Sequence, residues 1–182
     1  MNVVLIGYRG TGKSAVAGGV GEALGRPVVS LDAELVRRAG CSIPALVAAH
    51  GWAGFRDREV ALVAELAAGD GLVLDCGGGV VERRENFAPL RSRGRVIWLR
   101  ATPATIVRRI AGDTERPSLT GGRSFTDEVV EVLARRTPLY AELSHDAIDT
   151  DDLDVPAVAA RVVELVRPHL DGARIGPESG AP

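Results

Sequence analysis

The fold of this chain is decided by one stretch, Gly7-Tyr8-Arg9-Gly10-Thr11-Gly12-Lys13-Ser14. It matches the pattern G-x4-G-K-[ST] and lies between an apolar run, Val3–Ile6, and a helical pattern, Ser14–Leu24. This is the strand–loop–helix context that the pattern requires. Glycines in such a loop let backbone N–H groups point at phosphate oxygens, and the helix start adds its positive end. The stretch therefore predicts a nucleoside triphosphate site and leaves the phosphate acceptor open.

Within this stretch, Lys13 is the single lysine among 22 basic residues. Its compact ammonium differs from the planar arginine fork in hydration and geometry, and we expect it to reach the β- and γ-phosphates of ATP. The hydroxyl of Ser14 is expected to ligate Mg²⁺. The nucleotide-binding residues predicted in this region are Gly10, Thr11, Gly12, Lys13, Ser14 and Ala15.

Short β-branched runs alternate with helical patterns along the rest of the chain. Strands are predicted at Val3–Ile6, Val28–Leu31, Leu72–Leu74, Arg95–Leu99 and Ala147–Ile148. Helices are predicted at Ser14–Leu24, Ala33–Ala39, Ser42–His50, Phe55–Ala68, Pro103–Ala111, Asp127–Arg136 and Val155–Val166. Alternation with nearly continuous apolar strands indicates an α/β protein, a three-layer α/β/α sandwich with a five-stranded parallel sheet of the P-loop kinase type.

One domain is expected over residues 1–170, with a lid loop over about 112–125, where Gly, Pro, Ser and Thr are frequent. A disordered tail is expected over residues 171–182, which are rich in Gly and Pro. In parallel sheets of this kind, ligands bind at the carboxyl ends of the strands. We therefore expect the functional residues to lie at that edge.

Length and composition exclude several classes of protein. The 182 residues are 46% hydrophobic and 25% charged, as in ordinary globular domains, and a net charge of −2 gives no basic field for nucleic acid. Cys41 and Cys76 form no CxxC motif, which argues against a disulfide framework or a zinc ribbon. The first residues do not resemble a signal peptide, and no apolar run is long enough to span a bilayer. We expect a cytoplasmic protein without membrane or nucleic-acid partners.

Acidic residues follow two of the predicted strands. After the second strand come Asp32 and Glu34, of which one could hold a metal-bound water while the other accepts the proton of an acceptor hydroxyl. An N-cap followed by a first-turn acid explains the same spacing equally well. Asp75 precedes Gly77-Gly78-Gly79 and could hold the hydration shell of Mg²⁺ or be a strand-end turn residue. The glycines permit a ligand to approach the backbone closely.

Arginines at three places are candidates for binding anions. Arg56 lies three residues before Glu59, which could hold its fork toward an anionic substrate, although spacing alone favours a surface ion pair. Arg116 lies in the glycine-flanked loop and could close over phosphates, or be solvated on the surface. Either Arg135 or Arg136 could bind an anion, and both could instead be cations favoured at a helix C-terminus.

Taken together, these motifs resemble those of the shikimate kinase family, small P-loop kinases of the nucleoside-monophosphate-kinase type. The resemblance covers roughly residues 3–168 and rests on the order of the P-loop, the acidic pair, FRxxE, GGG, an RP lid and RxPLY. It implies that Asp32 assists Mg²⁺ and that Arg56 and Arg136 grip the shikimate carboxylate. It further implies that Arg116 touches the phosphates and that Arg109 stacks near adenine. The residues implied to face the shikimate hydroxyls are Gly77, Gly78 and Gly79.

The resemblance also implies a catalytic set of Lys13, Glu34 and Arg116. Glu34 falls where the family has an aspartate that contacts the reacting hydroxyl, so its stem is one methylene longer. The implied reaction is ATP-dependent phosphorylation of the shikimate 3-hydroxyl in aromatic amino-acid biosynthesis, with ATP and Mg²⁺. We expect the protein to be a monomer. Two alternatives stay open: a kinase for another small hydroxy acid such as gluconate, and a nucleotide-regulated binding protein.

Overall fold

The computed structural model describes residues 1–110 and 125–171. Within them, five strands form one parallel sheet in the order β2-β3-β1-β4-β5. The strands are β1 (Asn2–Ile6), β2 (Val28–Ser30), β3 (Val73–Asp75), β4 (Gly94–Arg100) and β5 (Asp146–Asp149). The central strand is β1, which leads into the glycine-rich loop of residues 7–14.

Helices cover both faces of this sheet. They are α1 (Lys13–Leu24), α2 (Leu31–Ala39), α3 (Ile43–Ala68), α4 (Phe87–Ser92), α5 (Pro103–Ile110), α6 (Phe125–Leu143) and α7 (Val155–Asp171). Two 3₁₀ turns, Val80–Glu82 and Arg84–Asn86, precede α4. The sequence patterns predict neither these turns nor α4, because the segment is too short for helical spacing to be recognised.

Helices α3 and α6 extend furthest beyond the helices that the sequence predicts. Helix α3 runs through Gly51, whose φ of 67° breaks the helical geometry at the point where the sequence predicts a gap between two helices. Helix α6 continues past Pro138 to Leu143. Tyr140 and Leu143 are wholly buried, and their packing outweighs the backbone hydrogen bond that a proline removes from a helix.

The sheet separates two apolar layers. Val4 and Ile6 of β1 join the layer beneath α2, α3, α4 and α6, whereas Val3 and Leu5 join the layer beneath α1 and α7. Successive side chains of a strand point to opposite faces, so the central strand contributes to both layers. The predicted three-layer α/β/α sandwich is confirmed.

Some expectations fall on parts of the chain that the structure does not describe. The lid expected over about 112–125 and the tail expected over 171–182 lie outside the described residues, apart from the end positions Phe125 and Asp171. In the described part of the chain, none of the helices combines the length and the apolar character that crossing a membrane requires.

Candidate active site

The glycine-rich loop between β1 and α1 borders a pocket of about 430 Å³ at the carboxyl ends of the strands. Gly7, Gly10 and Gly12 have φ values of 143°, 80° and 88°, which other residues rarely adopt. A Cβ at Gly7 would also collide with the carbonyl oxygen of Leu99. The conformation of this loop therefore depends on the glycines that the motif prescribes.

Lys13 is buried at the first turn of α1, with 8% of its surface exposed. Its Nζ donates a hydrogen bond to the carbonyl oxygen of Tyr8 at 2.9 Å, and Thr11 Oγ1 donates to the same oxygen at 2.8 Å. Thr11 is buried and lines a different pocket from this one. The other predicted nucleotide-binding residues of this region line the pocket beside the glycine-rich loop, namely Gly10, Gly12, Lys13, Ser14 and Ala15.

Two carboxylates reach the same pocket from different elements. Asp75 ends β3, where Ser30 of β2 is its register partner, and both line the pocket. Asp32 lines it from the first turn of α2, and its Oδ1 lies against Gly77, since a Cβ there would be 2.7 Å from that oxygen. Sequence reasoning did not single out Ser30, although a serine before an acidic helical first turn is an N-cap signal that could have indicated it.

Glu34 does not reach this pocket, contrary to the sequence-based expectation. Its carboxylate accepts hydrogen bonds from Arg37 Nε at 2.8 Å and from Arg38 Nε at 2.7 Å, and Arg38 also pairs with Glu65 at 2.6 Å. The hydrogen bonds from Arg37 and Arg38 lower the pKa of Glu34 to about 2. Residues two apart on a helix differ by about 200° in direction, which is why Asp32 faces the pocket and Glu34 does not.

Arg56 and Arg136 converge on the carboxylate of Glu82. Arg136 donates to Oε1 through Nε at 3.0 Å and Nη2 at 2.9 Å, while Arg56 donates to Oε2 through Nε at 3.2 Å. Arg135 also donates to Oε1, at 2.8 Å, but its side chain is 63% exposed whereas that of Arg136 is 4% exposed. We call Arg56, Arg135, Arg136 and Glu82 the arginine cluster.

Glu82 is a site residue that sequence reasoning missed. It contacts Arg56 and Arg136 across separations of 26 and 54 residues, and no local spacing encodes such contacts. Of the two adjacent arginines that the sequence leaves open, the structure buries Arg136 and leaves Arg135 largely in solvent.

Arg56 is held on its other side by Glu59. Its Nη1 donates to Glu59 Oε2 at 2.8 Å, and both side chains are buried, so this is not the surface ion pair that spacing alone favours. Burial raises the pKa of Glu59 to about 7, against the opposing effect of Arg56. The ring centroid of Phe55 lies 5.1 Å from Arg56 Cζ. These contacts fix the direction of the Arg56 fork.

Gly77, Gly78 and Gly79 connect the pocket with the arginine cluster. Gly77 and Gly78 line the pocket, whereas a Cβ at Gly79 would overlap the guanidinium of Arg56. The Tyr140 hydroxyl donates a hydrogen bond to the carbonyl oxygen of Gly78, which fastens this segment to α6. The two regions are therefore separated by bare backbone.

Two further arginines line the pocket. Arg109 does so from α5, and its Nη1 donates to Thr150 Oγ1 at 3.0 Å and to the carbonyl oxygen of Gly10 at 3.4 Å. Arg9 lines it from the glycine-rich loop and was not singled out, because it stands at a variable position of the motif. Arg116 lies outside the described residues.

The oxygen donors of this pocket suit Mg²⁺. Ser14 supplies a hydroxyl, and Asp32 and Asp75 supply carboxylates. Mg²⁺ takes oxygen ligands and usually keeps several waters beside substrate phosphates. Within residues 1–110 and 125–171, no three His, Cys, Asp or Glu side chains are grouped so that they could hold a metal ion by themselves. The donor set therefore fits an ion shared between protein, water and phosphate.

Comparison with known proteins places the chain among small-molecule kinases. The family model described as shikimate kinase matches residues 9–167. The shikimate kinase of Symbiobacterium thermophilum is 41% identical over 168 residues, covering 92% of this chain and 97% of that protein. The shikimate kinase of Pseudomonas syringae pv. syringae is 41% identical over 170 residues, covering 90% of this chain and 97% of that protein.

Solved structures agree with these relatives. The shikimate kinase from Acinetobacter baumannii in complex with shikimate superimposes with a TM-score of 0.87 at 32% identity, covering 92% of this chain and 93% of that one. A gluconokinase from Sinorhizobium meliloti gives a TM-score of 0.56 at 17% identity, covering 95% of this chain and 97% of that one. At that identity, the gluconokinase shares the fold alone. The family resemblance seen in the sequence is confirmed.

Proposed function

The chain belongs to the shikimate kinase family, and we propose that its pocket and its arginine cluster together perform that family's ATP-dependent phosphorylation of shikimate, at the 3-hydroxyl. The observation that carries this assignment is the position of the triple glycine. Gly77 and Gly78 line the pocket of the phosphate loop, and Gly79 packs against Arg56. A triphosphate and an acceptor that bears a carboxylate can therefore meet within one site.

The nucleotide is bound by the phosphate loop and the start of α1. Backbone N–H groups and the positive helix end hold the phosphates, and the ammonium of Lys13 attracts the β- and γ-phosphates as a point charge. Arg109 lines the same pocket, and the family resemblance assigns it to the adenine; the same resemblance assigns Arg116, which lies outside the described residues, to the phosphates. Phosphoryl transfer requires little covalent participation by the protein, so positioning and charge stabilisation supply most of the rate enhancement.

Ser14 and Asp75 are the residues that would hold Mg²⁺, an ion that neutralises charge on the phosphate oxygens during transfer. Asp75 ends β3, which is paired with β1 on one side and β2 on the other. This places its carboxylate at the strand end beside the phosphate loop. Asp32 lines the same pocket, so Asp75 would share with it the metal role that the family resemblance implies for Asp32.

Asp32 faces the acceptor. Its carboxylate lies against the triple glycine and close enough to the buried Glu59 to influence the titration of that residue. It receives the role expected of Glu34, which is to orient the acceptor hydroxyl or to accept its proton. Arg56 and Arg136 hold the shikimate carboxylate through charge-assisted hydrogen bonds, for which the arginine fork is well shaped.

The test is a coupled assay of ADP release with shikimate, with gluconate and with no acceptor. We expect stimulation by shikimate alone, and shikimate 3-phosphate as the product in mass spectrometry and NMR. Stimulation by gluconate instead would indicate a kinase for another hydroxy acid. Slow hydrolysis that neither acid accelerates would indicate a nucleotide-regulated binding protein, and both of these outcomes would refute the assignment.

The monomeric state, the cytoplasmic location and the lack of nucleic-acid or membrane partners stay predictions. Light scattering on the purified chain, with and without ATP and shikimate, tests the first of them. Fractionation of cells that produce the chain tests the location.

A further inference from the structure

A carboxylate of this chain stands where the proposed acceptor carboxylate must bind. Glu82 Oε2 accepts hydrogen bonds from Arg56 Nε at 3.2 Å and lies 3.1 Å from Arg56 Nη2. Glu82 Oε1 accepts from Arg136 Nε at 3.0 Å and Nη2 at 2.9 Å. The Nε and Nη2 groups form one of the edges through which an arginine binds a carboxylate with two hydrogen bonds. Glu82 therefore uses this edge on both arginines.

Because Glu82 is charged, it excludes a second carboxylate from Arg56 and Arg136. Burial by itself raises the pKa of Glu82, but the positive charges of Arg136 and Arg56 outweigh it and lower the pKa overall. Glu82 is therefore ionised at neutral pH. A second carboxylate that approached the same arginines with Glu82 in place would meet a like charge at contact distance, which is unfavourable.

Glu82 has space into which it can turn. It is the last residue of the 3₁₀ turn Val80–Glu82, and 24% of its side chain is exposed. It borders another pocket of about 430 Å³, which Trp52, Arg135, Arg136 and Leu139 also line, so this space adjoins the arginine cluster. Arg135 is largely exposed and can follow the carboxylate outward. When Glu82 leaves the two buried arginines, its carboxylate therefore stays in contact with solvent and with Arg135.

We propose that Glu82 is an internal competitor of the substrate: it occupies the acceptor-carboxylate position in the free enzyme, and shikimate binds by displacing it. The inference rests on the assignment of Arg56 and Arg136 to the acceptor carboxylate. Because only the fraction of molecules with Glu82 displaced can bind, the apparent affinity is lower than the intrinsic affinity of the site by that fraction.

Displacement also makes Glu82 a specificity-determining residue. A carboxylic acid exchanges one set of charge-assisted hydrogen bonds for another of the same kind. A neutral polyol offers no charge in exchange, so Arg56 and Arg136 would lose their hydrogen bonds to Glu82 when it displaced that carboxylate. The preference of the site for acids over neutral sugars of similar size is therefore larger than the direct attraction between the arginines and an acid would give.

The test is Glu82→Gln, which preserves size and removes the charge, measured by isothermal titration calorimetry with shikimate and separately with ATP. We expect the shikimate Kd to fall at least severalfold and the ATP Kd to stay unchanged. The variant should melt lower than wild type without shikimate, and shikimate should raise its melting temperature by more. Glu85→Gln is the matched control, because Glu85 is 59% exposed and 3.8 Å from Arg83, and it should change neither property.

Two results would overturn the proposal. A rise in the shikimate Kd of Glu82→Gln would make Glu82 a positioning residue for the arginines, and an unchanged Kd with a lowered melting temperature would make it purely structural. Glu82→Asp keeps the charge but withdraws it by one methylene, so we expect an intermediate gain in affinity, and it serves if the Gln variant does not fold. Arg136→Ala tests the assignment of the acceptor site separately from the role of Glu82. If this variant binds shikimate as well as wild type does, the site assignment itself fails.

Discussion

Replacing Arg136 with alanine is expected to weaken shikimate binding by two to three powers of ten while leaving ATP binding intact. The side chain is 4% exposed, so its hydrogen bonds to a bound carboxylate are shielded from water. A hydrogen bond to a charged group contributes about 1.5–3 kcal/mol. Losing two costs about 3–6 kcal/mol. Because the variant also loses the competing hydrogen bonds between Arg136 and Glu82, we expect the lower part of this range, about 3–4 kcal/mol, which is about 10²–10³-fold in affinity.

The assay is steady-state kinetics with each substrate varied in turn, with Arg135→Ala as the matched control. Arg135 is adjacent and carries the same charge, but it is 63% exposed, so its removal should cost less than about 1 kcal/mol. The reasoning is refuted if Arg135→Ala raises the KM for shikimate more than Arg136→Ala does. An equal rise in the KM for ATP would show that Arg136→Ala disturbs the whole site and does not act on the acceptor alone.

Three further predictions address other parts of the site. Lys13→Ala should lower kcat by at least about 10²-fold, as loss of a charge-stabilising donor does, with an unchanged circular dichroism spectrum; substantial remaining turnover would contradict the phosphate-loop assignment. Glu34→Gln should keep kcat within about twofold, the scale of a surface substitution, whereas Asp32→Asn should lose about 10²–10⁴-fold; the reverse order would restore Glu34 to the site. The raised pKa of Glu59 means that this group stabilises the fold fully below its ordinary value of 4.5, and that its contribution is lost as pH rises through about 7. The melting temperature of wild type minus that of Glu59→Gln should therefore fall from about pH 5 to about pH 8, and a flat difference would contradict the burial of a titrating carboxyl.

The phosphate loop could be predicted from sequence because everything that defines it is local. The glycines at positions 7, 10 and 12 have positive φ, and the strand and helix that flank them carry their own patterns. The alternation of strands and helices is also encoded locally, so the fold class could be predicted from the sequence. The order of strands in the sheet depends on contacts between distant segments and was not predicted.

The acidic pair shows where sequence reasoning fails. Which of Asp32 and Glu34 faces the pocket depends on the rotational position of α2, and this is set by where the helix begins. The sequence pattern starts it at Ala33, whereas the structure starts it at Leu31 with Ser30 as the N-cap. A helix moved by two residues changes the face that each carboxylate occupies.

The arginines show a related limit. Spacing identified Arg56 and Glu59 as a pair, but their burial depends on Gly79 and on the aromatic ring of Phe55. Arg136 could be preferred over Arg135 by the family resemblance alone, since adjacent positions on one helix carry the same local signal. Contacts between distant segments settle which guanidinium is buried.

The bare backbone at Gly77, Gly78 and Gly79 limits how this enzyme could acquire resistance to an inhibitor. A compound that joins a nucleotide analogue to an acid would pass along these three residues. A methyl group at Gly79 would overlap Arg56, and one at Gly77 would lie 2.7 Å from Asp32 Oδ1. Substitutions at Gly77 or Gly79 that block such a compound would therefore displace side chains that the reaction needs, and resistance gained at these two positions would lower activity.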